Sequence, residues 1–194
     1  MSRTNNQLFD LGREYKCDLE NFNLCDSIWQ LFECDDDWDL IRNSEPISFK
    51  FVNDDTGELH DDANLIPKTR GGIYIFLVKH PCFGKHVKYM MYIGKAEKSQ
   101  SQNIHKRIHD YYAYCKDENY AMEWEDKNLR MRVLGLFRNY LKNIYIEYYP
   151  LACSNERIAD IESKLICSIL PPINKQIPCP EIRKATTVFG RSST

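Results

Sequence analysis

Apolar residues fall along this chain in two kinds of run. Residues 72–78 (Gly-Ile-Tyr-Ile-Phe-Leu-Val), 89–94 (Tyr-Met-Met-Tyr-Ile-Gly) and 144–149 (Ile-Tyr-Ile-Glu-Tyr-Tyr) are short blocks rich in β-branched and aromatic side chains. They are too short for ordinary helices and predict three strands. Pro81 and Gly84 interrupt the polar segment between the first two blocks, so the simplest connection is a hairpin. A fourth, alternating stretch at 47–52 predicts a short strand, and Asn53-Asp54-Asp55-Thr56-Gly57 after it reads as a turn.

The longer runs repeat at helical spacing. Ile104, Ile108, Tyr111 and Tyr112 follow the N-cap candidate Asn103 and predict a helix over about 103–115. Leu129, Val133, Leu136, Phe137, Tyr140 and Leu141 predict another over about 125–142. Ile158, Ile161, Leu165 and Ile169 predict a third, capped by Ser154 or Asn155 and stopped by Pro171-Pro172. Nearer the start, Leu8, Leu11 and Tyr15, then Ile28, Leu31 and Phe32, show the same period. The pattern predicts an α+β (α/β layered) fold: a small central mixed β-sheet of about three strands flanked by helices, with an N-terminal extension. Residues 1–70 form that acidic extension, 71–178 the main domain, and 179–194 a mostly polar tail that reads as partly unstructured.

Charge sharpens this division. The chain has 194 residues and a formal net charge of −2. Residues 1–70 hold 7 Lys and Arg against 16 Asp and Glu, a net of −9, whereas residues 71–194 hold 19 against 12, a net of +7. A basic main domain suits a polyanionic partner. No stretch approaches the ~20 apolar residues of a membrane span. The first residues lead into no apolar run of a signal peptide, which points to a cytoplasmic protein whose eight cysteines are reduced thiols. Two sets of metal-ligating residue types read as ordinary surface. His80, Cys82 and His86 share a loop but lack a fourth ligand, and Asp35-Asp36-Asp37 with Asp39 reads as a solvated helix end or loop.

The triplets Gly72-Ile73-Tyr74 and Tyr92-Ile93-Gly94 resemble the defining pair of the GIY-YIG nuclease family. The resemblance continues in order through Arg107, Glu162 and Pro171-Pro172-Ile173-Asn174, and covers about residues 70–178. It implies an arginine on the helix after the second strand, a glutamate on the helix after the third, and a supporting asparagine beyond it. Many family members carry histidine four residues after the arginine. This chain has Tyr111 there, as some restriction-enzyme members have tyrosine. Arg107 and Tyr111 project from one helix face, and His109 points elsewhere.

The implied activity is divalent-metal-dependent hydrolysis of DNA to 5′-phosphate and 3′-hydroxyl ends, of the stand-alone type II restriction kind. Alternatives are a phage or mobile-element nuclease, a structure-specific one, or a binding module that does not cleave. Cleavage needs an activated water, relief of charge on the pentavalent phosphorus and help for the leaving oxygen. Glu162 is the expected ligand of one Mg²⁺ (or Mn²⁺) ion per active site, since one carboxylate plus phosphate and water oxygens suits that cation. Its ordinary alternative is a solvated helix carboxylate paired with Lys164 or Arg157. Arg107 is expected on the scissile phosphate, with Lys95 beside it as a second DNA contact. A tyrosine would activate water, Tyr92 ahead of Tyr74, although a phenol of pKa ~10 needs a nearby cation to do so at neutral pH. Asn174 fixes loop geometry or bonds near the phosphate. The partner would be double-stranded DNA, with cleavage of both strands by a homodimer or by sequential nicking.

Overall fold

The computed structural model describes residues 36–99, 101–116, 135–137, 139–174 and 176–189. Strands β1 (Ile47–Lys50), β2 (Gly72–Lys79), β3 (Lys88–Ala96) and β4 (Ile144–Pro150) form one sheet in the order β1-β4-β2-β3. All three neighbouring pairs are antiparallel. The sheet therefore has four strands rather than about three, and it is not mixed. The extra strand is the 47–52 stretch, in which Ile47 lies opposite Tyr148 and Lys50 opposite Tyr145. The described part of the acidic extension thus belongs to the same sheet as the main domain, and Phe49, Phe51, Val52, Ala63 and Ile66 are buried in its core.

Helices α1 (Asp36–Arg42), α2 (Ile104–Lys116) and α3 (Asn155–Ile169) pack on the sheet, and α4 (Pro180–Phe189) packs at the end of α3. β2 is buried on both sides, and its alternation divides the core. Tyr74, Phe76 and Val78 face one side with Ile104 and Ile108 of α2 and with Phe137. Ile73, Ile75 and Leu77 face the other with Ile158, Ile161, Leu165 and Ile166 of α3, and Trp38, Leu40 and Ile41 of α1 pack there too. The caps are the predicted ones: Asn103 Oδ1 accepts from the Lys106 N–H at 2.9 Å, and Ser154 Oγ from the Arg157 N–H at 3.3 Å. Of the helix expected over 125–142, residues 135–137 and 139–140 are helical and lead into a 3₁₀ turn at Leu141–Asn143; positions before 135 lie outside the described residues, as do the early helical patterns. The tail is not unstructured throughout. α4 seats Ile182 against Cys167 and Leu170, an apolar contact that its polar composition conceals.

The acidic run holds the second departure. Asp37 is buried rather than solvated: its carboxylate takes Arg157 Nε at 2.6 Å and Lys164 Nζ at 2.8 Å, tying α1 to α3. Burial raises this carboxyl's pKa, but hydrogen bonds from Lys164 and Arg157 outweigh it and hold the group below its ordinary 3.8. A depressed native pKa supplies stability that is present above the unfolded value and lost as pH falls through the native one. Asp37→Asn should therefore lower Tm by about 5 °C at pH 7, with the difference closing as pH falls below 4. Thermal melts of both proteins across that range check this; equal melting points at pH 7 would remove the ion pairs from the account.

Candidate active site

Tyr74 and Tyr92 stand on adjacent strands in a fixed register, with Tyr74 opposite Gly94 and Phe76 opposite Tyr92. This places the two phenols diagonally on the α2 face, ring centroids 6.0 Å apart, each against Phe76. From α2, Tyr111 brings its hydroxyl to 3.3 Å from that of Tyr74, and its ring packs against Phe76 and Phe137. Arg107 lies one turn earlier on the same face. Its Nη2 donates to Gln102 Oε1 at 2.9 Å, while its buried Nε–H has no hydrogen-bond partner. The three tyrosine oxygens are the groups nearest this guanidinium electrostatically.

Glu162 approaches from the other layer. Arg157 and Lys164, its sequence-level pairing candidates, are both turned to Asp37. Residues two apart on a helix point to different sides, so Glu162 is left to face Lys95, Arg107 and Tyr92 instead. Burial raises the Glu162 pKa above its ordinary 4.5, only partly offset by the Lys95 ammonium, the Lys95 backbone N–H and Arg107. Lys95 Nζ also lies 3.9 Å from Glu97. Tyr74, Tyr92, Lys95, Arg107, Tyr111 and Glu162 thus meet at one place, around β3.

The seventh expected residue, Asn174, has another task. After α3, Leu170 adopts a left-handed φ of 51° and the chain runs back beside β3. Asn174 Oδ1 accepts from the Ile93 N–H at 2.9 Å, and its Nδ2 donates to the Ile93 carbonyl at 2.7 Å. The Ile173 N–H donates to the Met91 carbonyl at 3.1 Å. These bonds satisfy the outer edge of β3 between Tyr92 and Gly94. Asn174 therefore holds the second triplet in place, the geometric one of its two expected roles.

Each triplet's glycine has a steric reason. A Cβ on Gly72 would lie 2.1 Å from the Tyr149 carbonyl oxygen, and one on Gly94 would lie 2.5 Å from the Tyr74 hydroxyl.

The two strand phenols sit in surroundings that disfavour their ionisation. Burial pushes Tyr74 and Tyr92 well above the ordinary 10, Tyr111 adds to both, and Arg107 opposes it only partly. Tyr74 is fully buried and Tyr92 is 9% exposed, so Tyr92 is the more open of these two, while Tyr111 is half-buried. The donor set fits a hard divalent cation through Glu162, a carboxylate left with incomplete neutralisation. No group of three metal-ligating side chains occurs among the described residues, so a cation held by Glu162 would need its remaining ligands from outside the chain. The loop set is otherwise engaged: His80 Nδ1 accepts from the Cys82 and Phe83 N–H groups, both at 3.2 Å. Gln102, which steers Arg107, was not foreseen; its place just before the α2 cap is the only signal the sequence offers. Among the described residues no helix is long and apolar enough to cross a membrane. No family model, curated protein or solved structure matches this chain.

Proposed function

We propose that this protein is a divalent-metal-dependent DNA endonuclease of the GIY-YIG kind, hydrolysing phosphodiesters to 5′-phosphate and 3′-hydroxyl ends, with restriction-type cleavage as its specific form. The observation that carries the reading is the convergence of three phenols, one guanidinium and one incompletely neutralised carboxylate from β2, β3, α2 and α3. Structural aromatics alone would not require Arg107 among them, and a solvated carboxylate would not leave its neighbouring cations to Asp37.

Arg107 binds the scissile phosphate. Its unpartnered Nε–H is a costly buried donor that a phosphate oxygen would satisfy, while Gln102 fixes the other side of the fork. The Mg²⁺ held by Glu162 would neutralise charge on the phosphate and its leaving oxygen. Tyr74, bonded to Tyr111 and shut off from solvent, orients the cluster rather than taking a proton. Tyr92 is the residue to accept the proton of the attacking water, with Lys95 adding positive field nearby. One such set per chain cuts one strand at a time, so cutting both needs a second copy or a second encounter.

A base whose pKa is raised is scarce in its active form at neutral pH. The cleavage rate should therefore climb close to tenfold per pH unit between about 7 and 9, and Tyr92→Phe should lower the rate and flatten that slope. A pH profile unchanged in Tyr92→Phe would exclude it as the base.

The direct test is incubation of the purified protein with mixed-sequence plasmid and phage DNA and Mg²⁺, beside Glu162→Ala and an EDTA control. Discrete fragments lost in both controls establish a sequence-specific metal nuclease. A smear or nicked circles retain the nuclease and drop restriction. No cleavage with several metals, but an intact gel shift, would reduce the protein to a binding module.

A further inference from the structure

At the opposite end of β2 from Tyr74, the β2–β3 loop overhangs a groove of about 1010 Å³. Tyr74 and Lys79 are five residues apart on that strand, roughly 16 Å at the usual strand rise. Five lysines line the groove: Lys50, Lys79, Lys85, Lys88 and Lys142. Its one carboxylate, Asp54, is hydrogen-bonded to Lys50. Lys79 and Lys88 are direct cross-strand partners, an arrangement of like charges that costs stability. Lys79 is further held 3.4 Å over the Tyr145 ring. Burial, then Lys88, lowers the Lys79 pKa, and the nearby Glu147 does not cancel this. Lysines kept only for solubility would spread outward; these converge on a concavity.

The other side of the same loop is apolar. A second cavity of about 440 Å³ shares Lys79, His80, Pro81 and Asn143 with the groove and is lined by Tyr89, Met91 and Tyr140. Tyr89 is 53% and Tyr140 48% exposed, and Phe83 in the groove is 60% exposed. Three of the four large apolar side chains most exposed among the described residues therefore cluster at this end. Exposed aromatic faces beside a lysine track are the chemistry that holds a nucleic-acid strand with unpaired bases: phosphates on the cations, a base on a ring. Duplex DNA, with its bases already stacked, would use the lysines and leave the tyrosines idle.

We propose that this hairpin end is a separate binding site for an unpaired DNA strand, with its phosphates along Lys79, Lys85, Lys88 and Lys142 and a base stacked on Tyr89 or Tyr140. It takes from the nuclease reading only the class of ligand and needs no cleavage to be tested. The experiment is fluorescence anisotropy in EDTA, using the full chain and a labelled oligonucleotide of roughly a dozen residues, as single strand and as duplex. Lys85→Glu with Lys88→Glu should weaken single-strand binding at least tenfold and reduce the slope of log affinity against log salt by about 1.4. Tyr89→Ala with Tyr140→Ala should weaken single-strand binding about tenfold and duplex binding less than twofold. Tyr89→Phe with Tyr140→Phe, which keeps the rings, should restore single-strand affinity. Affinity within twofold of the parent after charge reversal, or equal losses on duplex and single strand after ring removal, would overturn the site. Binding is read in EDTA, without cleavage, so that a failure of the nuclease reading stays distinguishable from a failure of this one.

Discussion

Glu162→Gln should abolish cleavage and make the protein more stable. On the proposed function the activity should fall by about 10³-fold or more, since the substitution removes the carboxylate that would hold the cation balancing transition-state charge. The stability change has the opposite sign to most substitutions at a half-buried position. A native carboxyl whose pKa is raised favours folding fully only below the unfolded value of 4.5, and that contribution is lost as pH rises through the native pKa. At pH 8 the wild type therefore carries a poorly compensated buried charge, and glutamine, of nearly the same shape, does not. The variant should melt about 2–5 °C higher at pH 8, with the gap shrinking to nothing near pH 4. Millimolar Mg²⁺ should raise Tm in the wild type and leave Glu162→Gln unmoved. Melting curves at both pH values, with and without Mg²⁺, read all of this. A lower Tm for the variant at pH 8 would mean that Glu162 is a well-compensated structural carboxylate, and the site would lose its metal ligand.

What could be read from the residues follows how local their partners are. The hairpin was legible because both strands, both tyrosines and both glycines lie within 25 consecutive positions, with the register set by one loop. The stripes of α2 and α3 were legible because helical period is a local property. β1 was legible as a strand but not as part of the sheet, because Ile47 finds its partner at Tyr148, about a hundred residues on. Asp37 is the same case in electrostatic form. Among four nearby aspartates it looks solvated, and only Arg157 and Lys164, which arrive from α3, make it structural.

The candidate site divides in the same way. The family resemblance pointed to Tyr74, Tyr92, Arg107, Tyr111 and Glu162, and these groups are electrostatic neighbours of one another. Their environments were not legible, since burial depends on what packs from four elements at once. Tyr74 and Tyr92 come out harder to ionise, not easier, and Tyr92 differs from Tyr74 by its small opening to solvent. Asn174 was recognisable as a supporting residue, but its task depends on how Leu170 turns the chain. Nothing in Pro-Pro-Ile-Asn states that the amide will lie against Ile93.

Gly94→Ala should cost both stability and cleavage, although it removes no catalytic group. The reason is contact, not backbone freedom, because Gly94 is not among the described residues with positive φ. The added Cβ would lie 2.5 Å from Tyr74 Cζ and hydroxyl and 2.8 Å from Tyr92 Cε1. Tyr74 has no room to yield: it is fully buried, its ring lies against Phe76 and Tyr92, and its hydroxyl meets Tyr111. The substitution should cost about 2–3 kcal/mol of stability. It should also slow cleavage about 10²-fold, by shifting the cluster that Arg107 and Tyr92 depend on. If the Tyr74 ring is the obstacle, Tyr74→Leu should relieve it, and Gly94→Ala should cost about 1–2 kcal/mol less in that background. Gly72→Ala supplies the contrast, since its obstacle is the Tyr149 carbonyl oxygen at 2.1 Å, which no side-chain change removes. Denaturant melts of the two single variants and the double variant decide the matter. Full additivity of Gly94→Ala and Tyr74→Leu would show that the second triplet's glycine serves something other than the tyrosine of the first.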